Sequence, residues 1–141
     1  MSSCWPDGAP EVGAIAELTR TVETRDIELF TELSGDHNFL HYDPEAAAAT
    51  QFGEIVVQGG ITSAILNAVV AEKLPGPGTV FLNTHYDFTA PVRPGDTITG
   101  RVEITKARTD KPITTLAVTV TRDDGTVALT GTAVCYTMAR G

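Results

Sequence analysis

The eight residues Ser34-Gly35-Asp36-His37-Asn38-Phe39-Leu40-His41 carry an acid, two imidazoles and an amide. An aspartate and a histidine that converge on one water are the pair a site needs to add water to a substrate or remove it. Their spacing dictates the local structure. Five residues apart on a helix, Asp36 and His41 would point about 140° apart. On a strand the odd separation would send them to opposite faces. Only an irregular loop aims both at one point, and Gly35 and Asn38 tolerate such backbones. The residues alone also fit a blander reading, with Asp36 a plain turn residue and His41 a satisfied surface histidine.

The elements that must hold this loop are legible on either side of it. Residues 14–22 have the β-branched and apolar character of a strand. Thr24 reads as a helix N-cap, with Asp26 and Glu28 in a first turn whose dipole favours acids. Ile27, Phe30 and Leu33, widened by Leu29, form an apolar stripe that Gly35 ends. Asp43-Pro44 opens a short helix, and 51–54 is a loop. Ile55-Val56-Val57 then leads to Gly59-Gly60. From Gly60 to Leu74 the chain is almost entirely small or apolar, which marks a buried helix; Pro75-Gly76-Pro77-Gly78 stops it. Four strands follow, at 79–90, 97–108, 113–122 and 126–138, with turns at 91–96, 110–112 and 123–125. Hairpin-type turns join the last three into an antiparallel meander. A helix apolar on most sides needs cover, and a curved sheet supplies it. The expectation is an α+β domain, an antiparallel sheet wrapped around a buried central helix. Its open edges call for management, and pairing with a second copy, a homodimer, is one solution.

A chain of 141 residues reads as one domain, with residues 1–13 a flexible leader and 14–141 the domain. The leader has neither the basic nor the apolar region of a signal peptide, Trp5 is expected to pack loosely in it, and no apolar run is long enough to span a membrane. The formal charge of -8 argues against nonspecific nucleic-acid binding. Arg93, Arg101, Lys106, Arg108 and Lys111 read mainly as solvated strand ends and turns, and only weakly as contacts for a cofactor phosphate. Cys4 and Cys135 suit a reduced, cytoplasmic chain, with Cys135 a small buried apolar residue. There is no dinucleotide fingerprint, Walker sequence or Cys/His cluster, so no metal or redox cofactor is expected. His85 reads as structural, and His37 as exposed or supporting.

Taken in order, these segments resemble the MaoC-like (R)-specific enoyl-CoA hydratases and hydroxyacyl-thioester dehydratases, which have the hot-dog fold. That motif, roughly Ser-Gly-Asp-x-Asn-Pro-x-His, stands here as residues 34–41. The resemblance runs on through Ile55-Val56-Val57-Gln58-Gly59-Gly60, Leu74-Pro75-Gly76-Pro77-Gly78, the stretch from Asp87 to Asp96, and Arg108-Thr109-Asp110-Lys111-Pro112. It implies that Asp36 and His41 jointly hold a catalytic water, that Asn38 pins the loop or orients a catalytic side chain, and that the N–H of Gly59, or of Gly60, polarises a thioester carbonyl. It implies a substrate carried on CoA or on the phosphopantetheine of an acyl carrier protein, with the acidic chain leaning towards CoA. Asn67, two turns into the central helix, stands where relatives carry a small polar residue near the water. The sequence departs from the motif at Phe39 (proline), Gln58 (histidine) and Gly60 (methionine). Phe39, Gln58, Gly60 and Asn67 are therefore the expected substrate-binding positions, with Gly60 widening the pocket. The alternatives are an acyl-ACP dehydratase of fatty-acid or polyketide assembly, a non-catalytic partner subunit of a hydratase heterodimer and, against the loop motif, a hot-dog thioesterase.

Overall fold

The computed structural model describes residues 4, 5 and 7–140. Residues 1–3 and 6 of the expected leader lie outside the described residues, as does the last residue of the expected domain. Two rules of local chemistry lay out the elements. Alternating buried and exposed positions make the strands β1 (Ile15–Thr21), β2 (Thr79–Phe88), β3 (Thr97–Ala107), β4 (Ile113–Arg122) and β5 (Val127–Thr137). Helical periodicity makes α1 (Thr24–Ser34), α2 (Pro44–Ala48) and α3 (Gly59–Glu72). A single 3-10 turn, Phe39–His41, lies between α1 and α2.

The strands form one antiparallel sheet in the order β1-β3-β4-β5-β2. The expected meander is its centre, and β1 and β2 are its edges. Helix α3 touches all five strands. Its Ile61, Ile65, Leu66, Val69 and Val70 are buried against Val102, Ile104, Leu116, Val118 and their neighbours. Burial of each such side chain stabilises the fold by about 1.5–3 kcal/mol. Gly100 permits the close approach, since a Cβ there would lie 2.8 Å from Ile65 Cγ2. The sheet does not enclose the helix completely: Ala64, Asn67 and Ala71 form an exposed stripe. Small side chains hide this stripe in the sequence, because apolar character does not say which side is covered.

Two start positions differ from expectation. The N-cap of α1 is Glu23, one residue before Thr24. Asp26 is the reason: its Oδ2 accepts the Glu23 N–H at 2.8 Å, and its Oδ1 accepts from Arg20 at 2.5 Å. Helix α3 begins at Gly59, not Gly60. Trp5, expected to pack loosely, is only 5% exposed and donates its indole N–H to the Arg108 carbonyl at 2.9 Å. No helix among the described residues is long and apolar enough to cross a membrane.

Candidate active site

Gly35 ends α1 in the left-handed region at φ 80°, a conformation only glycine adopts freely. The chain then turns sharply into Asp36. Three polar atoms of Asp36 are committed within a few residues of it. Its N–H donates to Ser34 Oγ at 3.0 Å, its carbonyl accepts from Thr31 Oγ1 at 2.8 Å, and its Oδ1 accepts the Asn38 N–H at 3.1 Å. Only Oδ2 is left, and it lies 3.6 Å from His41 Nε2. Asn38 fixes the next step: its Oδ1 accepts the Leu40 N–H at 3.1 Å and so caps the 3-10 turn that carries His41.

The histidine is held from the other side. His41 Nδ1 lies 2.6 Å from the Val56 carbonyl. A carbonyl only accepts, so Nδ1 carries the proton and, in the neutral ring, Nε2 keeps its lone pair. Val56 is itself anchored, since its N–H donates to the Leu40 carbonyl at 3.2 Å, and the Val57 N–H donates to Val92 at 2.9 Å. The imidazole is 8% exposed and the Asp36 carboxylate 40%. The pair is therefore a buried acceptor nitrogen facing a half-open acceptor oxygen, too far apart to bond directly.

A cavity of about 390 Å³ adjoins this anchor. Its wall includes Phe52, Val56, Gly59, Thr62 and Phe88. Gly59 is the first residue of α3, where N–H groups lack intrahelical acceptors and the helix dipole is positive. A cavity with the first residue of a helix in its wall suits an acyl group with a carbonyl at its head.

The loop thus brings Asp36, Asn38 and His41 together as the spacing required; of the four expected catalytic positions only Gly59 lies in the cavity wall, and the loop reaches that wall through the His41–Val56 contact. The four expected substrate-binding positions fare differently. Gln58 does not line the cavity. It is 1% exposed beneath the Asp36 loop, where its Nε2 faces the Ile27 carbonyl at 3.2 Å and Thr31 Oγ1 at 3.1 Å. Gly60 does not widen the pocket, because the Phe30 ring fills the space: a Cβ there would sit 2.1 Å from Phe30 Cζ. Phe39 is 53% exposed on the 3-10 turn and Asn67 lies on the uncovered stripe of α3; neither lines the cavity. His37 is exposed and stacks on Tyr42 with ring centroids 4.1 Å apart, and His85 is exposed on β2. Of the basic residues, Arg93 pairs with Glu54, Arg101 with Glu103 and Arg108 with Asp110. Sequence reasoning missed Thr31, Tyr42 and the Val56 carbonyl. A backbone carbonyl gives no sequence signal, and Thr31 and Tyr42 look like ordinary helix and turn residues.

A helix laid on a five-stranded antiparallel sheet defines the hot-dog class of fold. A family model described as a MaoC like domain matches residues 8–126, and the chain belongs to that family. An (R)-specific enoyl-CoA hydratase of Aeromonas caviae is 38% identical over 124 residues, 88% of this chain and 92% of the relative. A 3-hydroxybutyryl-CoA dehydratase of Methylorubrum extorquens is 35% identical, over 83% of this chain and 74% of the relative. The solved structure of the (R)-hydratase from A. caviae involved in PHA biosynthesis matches with a TM-score of 0.87 at 36% identity, over 92% of this chain and 98% of that one.

Proposed function

We propose that this protein is a hydro-lyase that interconverts trans-2-enoyl and (R)-3-hydroxyacyl thioesters, with CoA as the favoured carrier. The observation that carries the reading is the pair of proton acceptors, His41 Nε2 and Asp36 Oδ2, 3.6 Å apart, with the histidine anchored on Val56, a residue of the cavity wall. A water bonded about 2.8 Å from each would donate one proton to either side and keep its lone pairs free. In hydration its oxygen bonds to C3, one O–H bond breaks towards the pair, and the proton the pair takes up is passed on to C2. Dehydration runs the same steps backward. Charge develops on the thioester oxygen, and the free N–H of Gly59 supports it; loss of such a donor typically costs about 10²–10³ in rate. The reading asks for no metal or redox group, because these residues supply both the proton transfers and the oxyanion support. The (R) configuration and the CoA carrier rest on the named relatives, and the net charge of -8 also opposes an acidic carrier protein.

The reading extends to a homodimer in a reducing, cytoplasmic setting. Strand β2 is an unpaired sheet edge with Val80, Leu82 and Phe88 exposed, and α3 leaves Ala64, Asn67 and Ala71 uncovered. A second copy along β2 would cover both and would bring Asn67 into an interface. Light scattering on the purified chain is expected to give twice its 14.9 kDa; a monomer mass refutes the dimer.

The activity test uses the chain alone and follows the loss of enoyl-thioester absorbance with crotonyl-CoA. Turnover is expected, and Asp36→Ala or His41→Ala should each lower kcat by about 10²-fold or more. Silence on CoA with turnover on a carrier-bound substrate would favour the acyl-ACP dehydratase. Silence rescued by a second subunit would favour the partner reading, and release of free thiol a thioesterase.

A further inference from the structure

We propose that Thr31 is a positioning residue for Asp36, and that Tyr42 and Gln58 fix the direction of its hydroxyl. The proposal rests on the hydratase reading above and deepens it. The shortest contacts point to one arrangement of the protons. Gln58 Nε2 faces two carbonyls, Ile27 at 3.2 Å and Asp36 at 3.4 Å. Carbonyls only accept, so the amide presents its nitrogen to them; its two protons go to the two nearer acceptors, the Ile27 carbonyl and Thr31 Oγ1 at 3.1 Å, and the Asp36 carbonyl at 3.4 Å is left to the threonine. Thr31 Oγ1 also lies 2.5 Å from the Tyr42 hydroxyl and 2.8 Å from the Asp36 carbonyl. The threonine has one proton. With that proton given to the Asp36 carbonyl, which can only accept, Tyr42 is the donor to Thr31.

The threonine hydroxyl thus accepts from two groups and donates to one. A hydroxyl polarised by two donors is itself a stronger donor. The side chains of this hub come from three places: Thr31 from α1, Tyr42 from the end of the 3-10 turn, and Gln58 from the residue before α3. Gln58 runs directly into Gly59, so the same backbone that offers the amide donors carries the side chain that steadies the dyad loop. The hub grips Asp36 by its main chain while Ser34 and Asn38 take its N–H and Oδ1. Oδ2 is thereby aimed at His41. None of Thr31, Tyr42 and Gln58 lines the cavity, so their removal alters the geometry of proton transfer and leaves the surface that binds substrate.

The test compares the wild-type protein with Thr31→Val, which keeps the shape and removes the hydroxyl, and Thr31→Ser, which keeps the hydroxyl. With crotonyl-CoA, Thr31→Val is expected to lower kcat about tenfold to a hundredfold with KM held within about threefold; Thr31→Ser is expected to recover most of the rate. Crystal structures should show the Asp36–His41 separation widened beyond 3.6 Å in Thr31→Val and restored in Thr31→Ser. Wild-type kcat with an unchanged separation in Thr31→Val overturns the proposal. So does a Thr31→Ser variant as impaired as Thr31→Val, since packing rather than the hydroxyl would then be responsible. Should Thr31→Val fail to fold, Tyr42→Phe removes one donor in its place. Lower kcat at unchanged KM is then the expected result, and unchanged kcat and separation overturn the proposal. A wild-type protein inert on crotonyl-CoA would refute the hydratase reading separately, and the crystallographic separation would still decide the positioning claim.

Discussion

At the scale of single residues, the site works by using up alternatives. Each polar atom of Asp36 except Oδ2 has a local partner, and His41 has one nitrogen bonded to a main-chain carbonyl. What remains is one oxygen and one nitrogen facing each other, both able to accept a proton. The Val56 carbonyl decides this, because it dictates which ring nitrogen holds the hydrogen. Nitrogen-15 NMR of histidine-labelled protein should therefore show His41, in its neutral form, as the Nδ1–H tautomer. An Nε2–H tautomer would refute the assignment, since that nitrogen could then no longer accept a proton from water. The acid and the imidazole were legible in the sequence because their spacing permits only a loop. The carbonyl that orients the ring was not, because every residue has one.

At the scale of elements, the periodic segments were legible and side-chain directions were not. Alternation in β3 and β4, and the apolar run of α3, each depend on one face meeting the core, and the sequence writes that directly. Gln58 shows the limit. Its place just before Gly59 is plain from the sequence, but the backbone alone decides that its side chain turns beneath the Asp36 loop. Gly60 is similar: its missing side chain reads as space until α1 is docked and Phe30 takes that space. Close packing of main chain on main chain is equally silent. In β5, a Cβ on Gly131 would stand 2.0 Å from the His85 carbonyl and 3.0 Å from Tyr86 Cα, both in β2. Main-chain atoms cannot swing aside as a side-chain tip can. Gly131→Ala is therefore expected to push β2 away from β5 and destabilise the fold by about 1–3 kcal/mol or more. Urea unfolding would measure it, and an unchanged midpoint would show that the two strands yield without cost. Because Phe88 ends β2 and lines the cavity, the same change should also weaken substrate binding.

At the scale of the whole molecule, the buried ionisable groups define a pH limit that the surface charges do not. The hairpin ends carry exposed pairs such as Arg108–Asp110, which holds the Asp110 carboxyl down at about 2; such pairs contribute little. Inside, burial pushes the Cys135 thiol up from 9.0 to about 12. Burial, reinforced by Cys135, also pushes the Tyr86 phenol up from 10.0 to about 12. Both groups are neutral when protonated, and the fold favours that form. The unfolded chain exposes them and loses their protons first. Their contribution is therefore complete below about pH 9 and drains away as pH rises towards about 12. Tyr86 Oη is also buried without a partner, so Tyr86→Phe removes a poorly solvated hydroxyl as well as a titrating group. Urea midpoints measured at pH 8, 10 and 11 should fall steeply in the wild type. The fall should be shallower in a Cys135→Ala, Tyr86→Phe double variant, whose midpoint at pH 8 should still show a folded core. Parallel curves for the two proteins would mean that other groups, chiefly lysines, set the alkaline limit and that the interior around β2 and β5 is wetter than its packing implies.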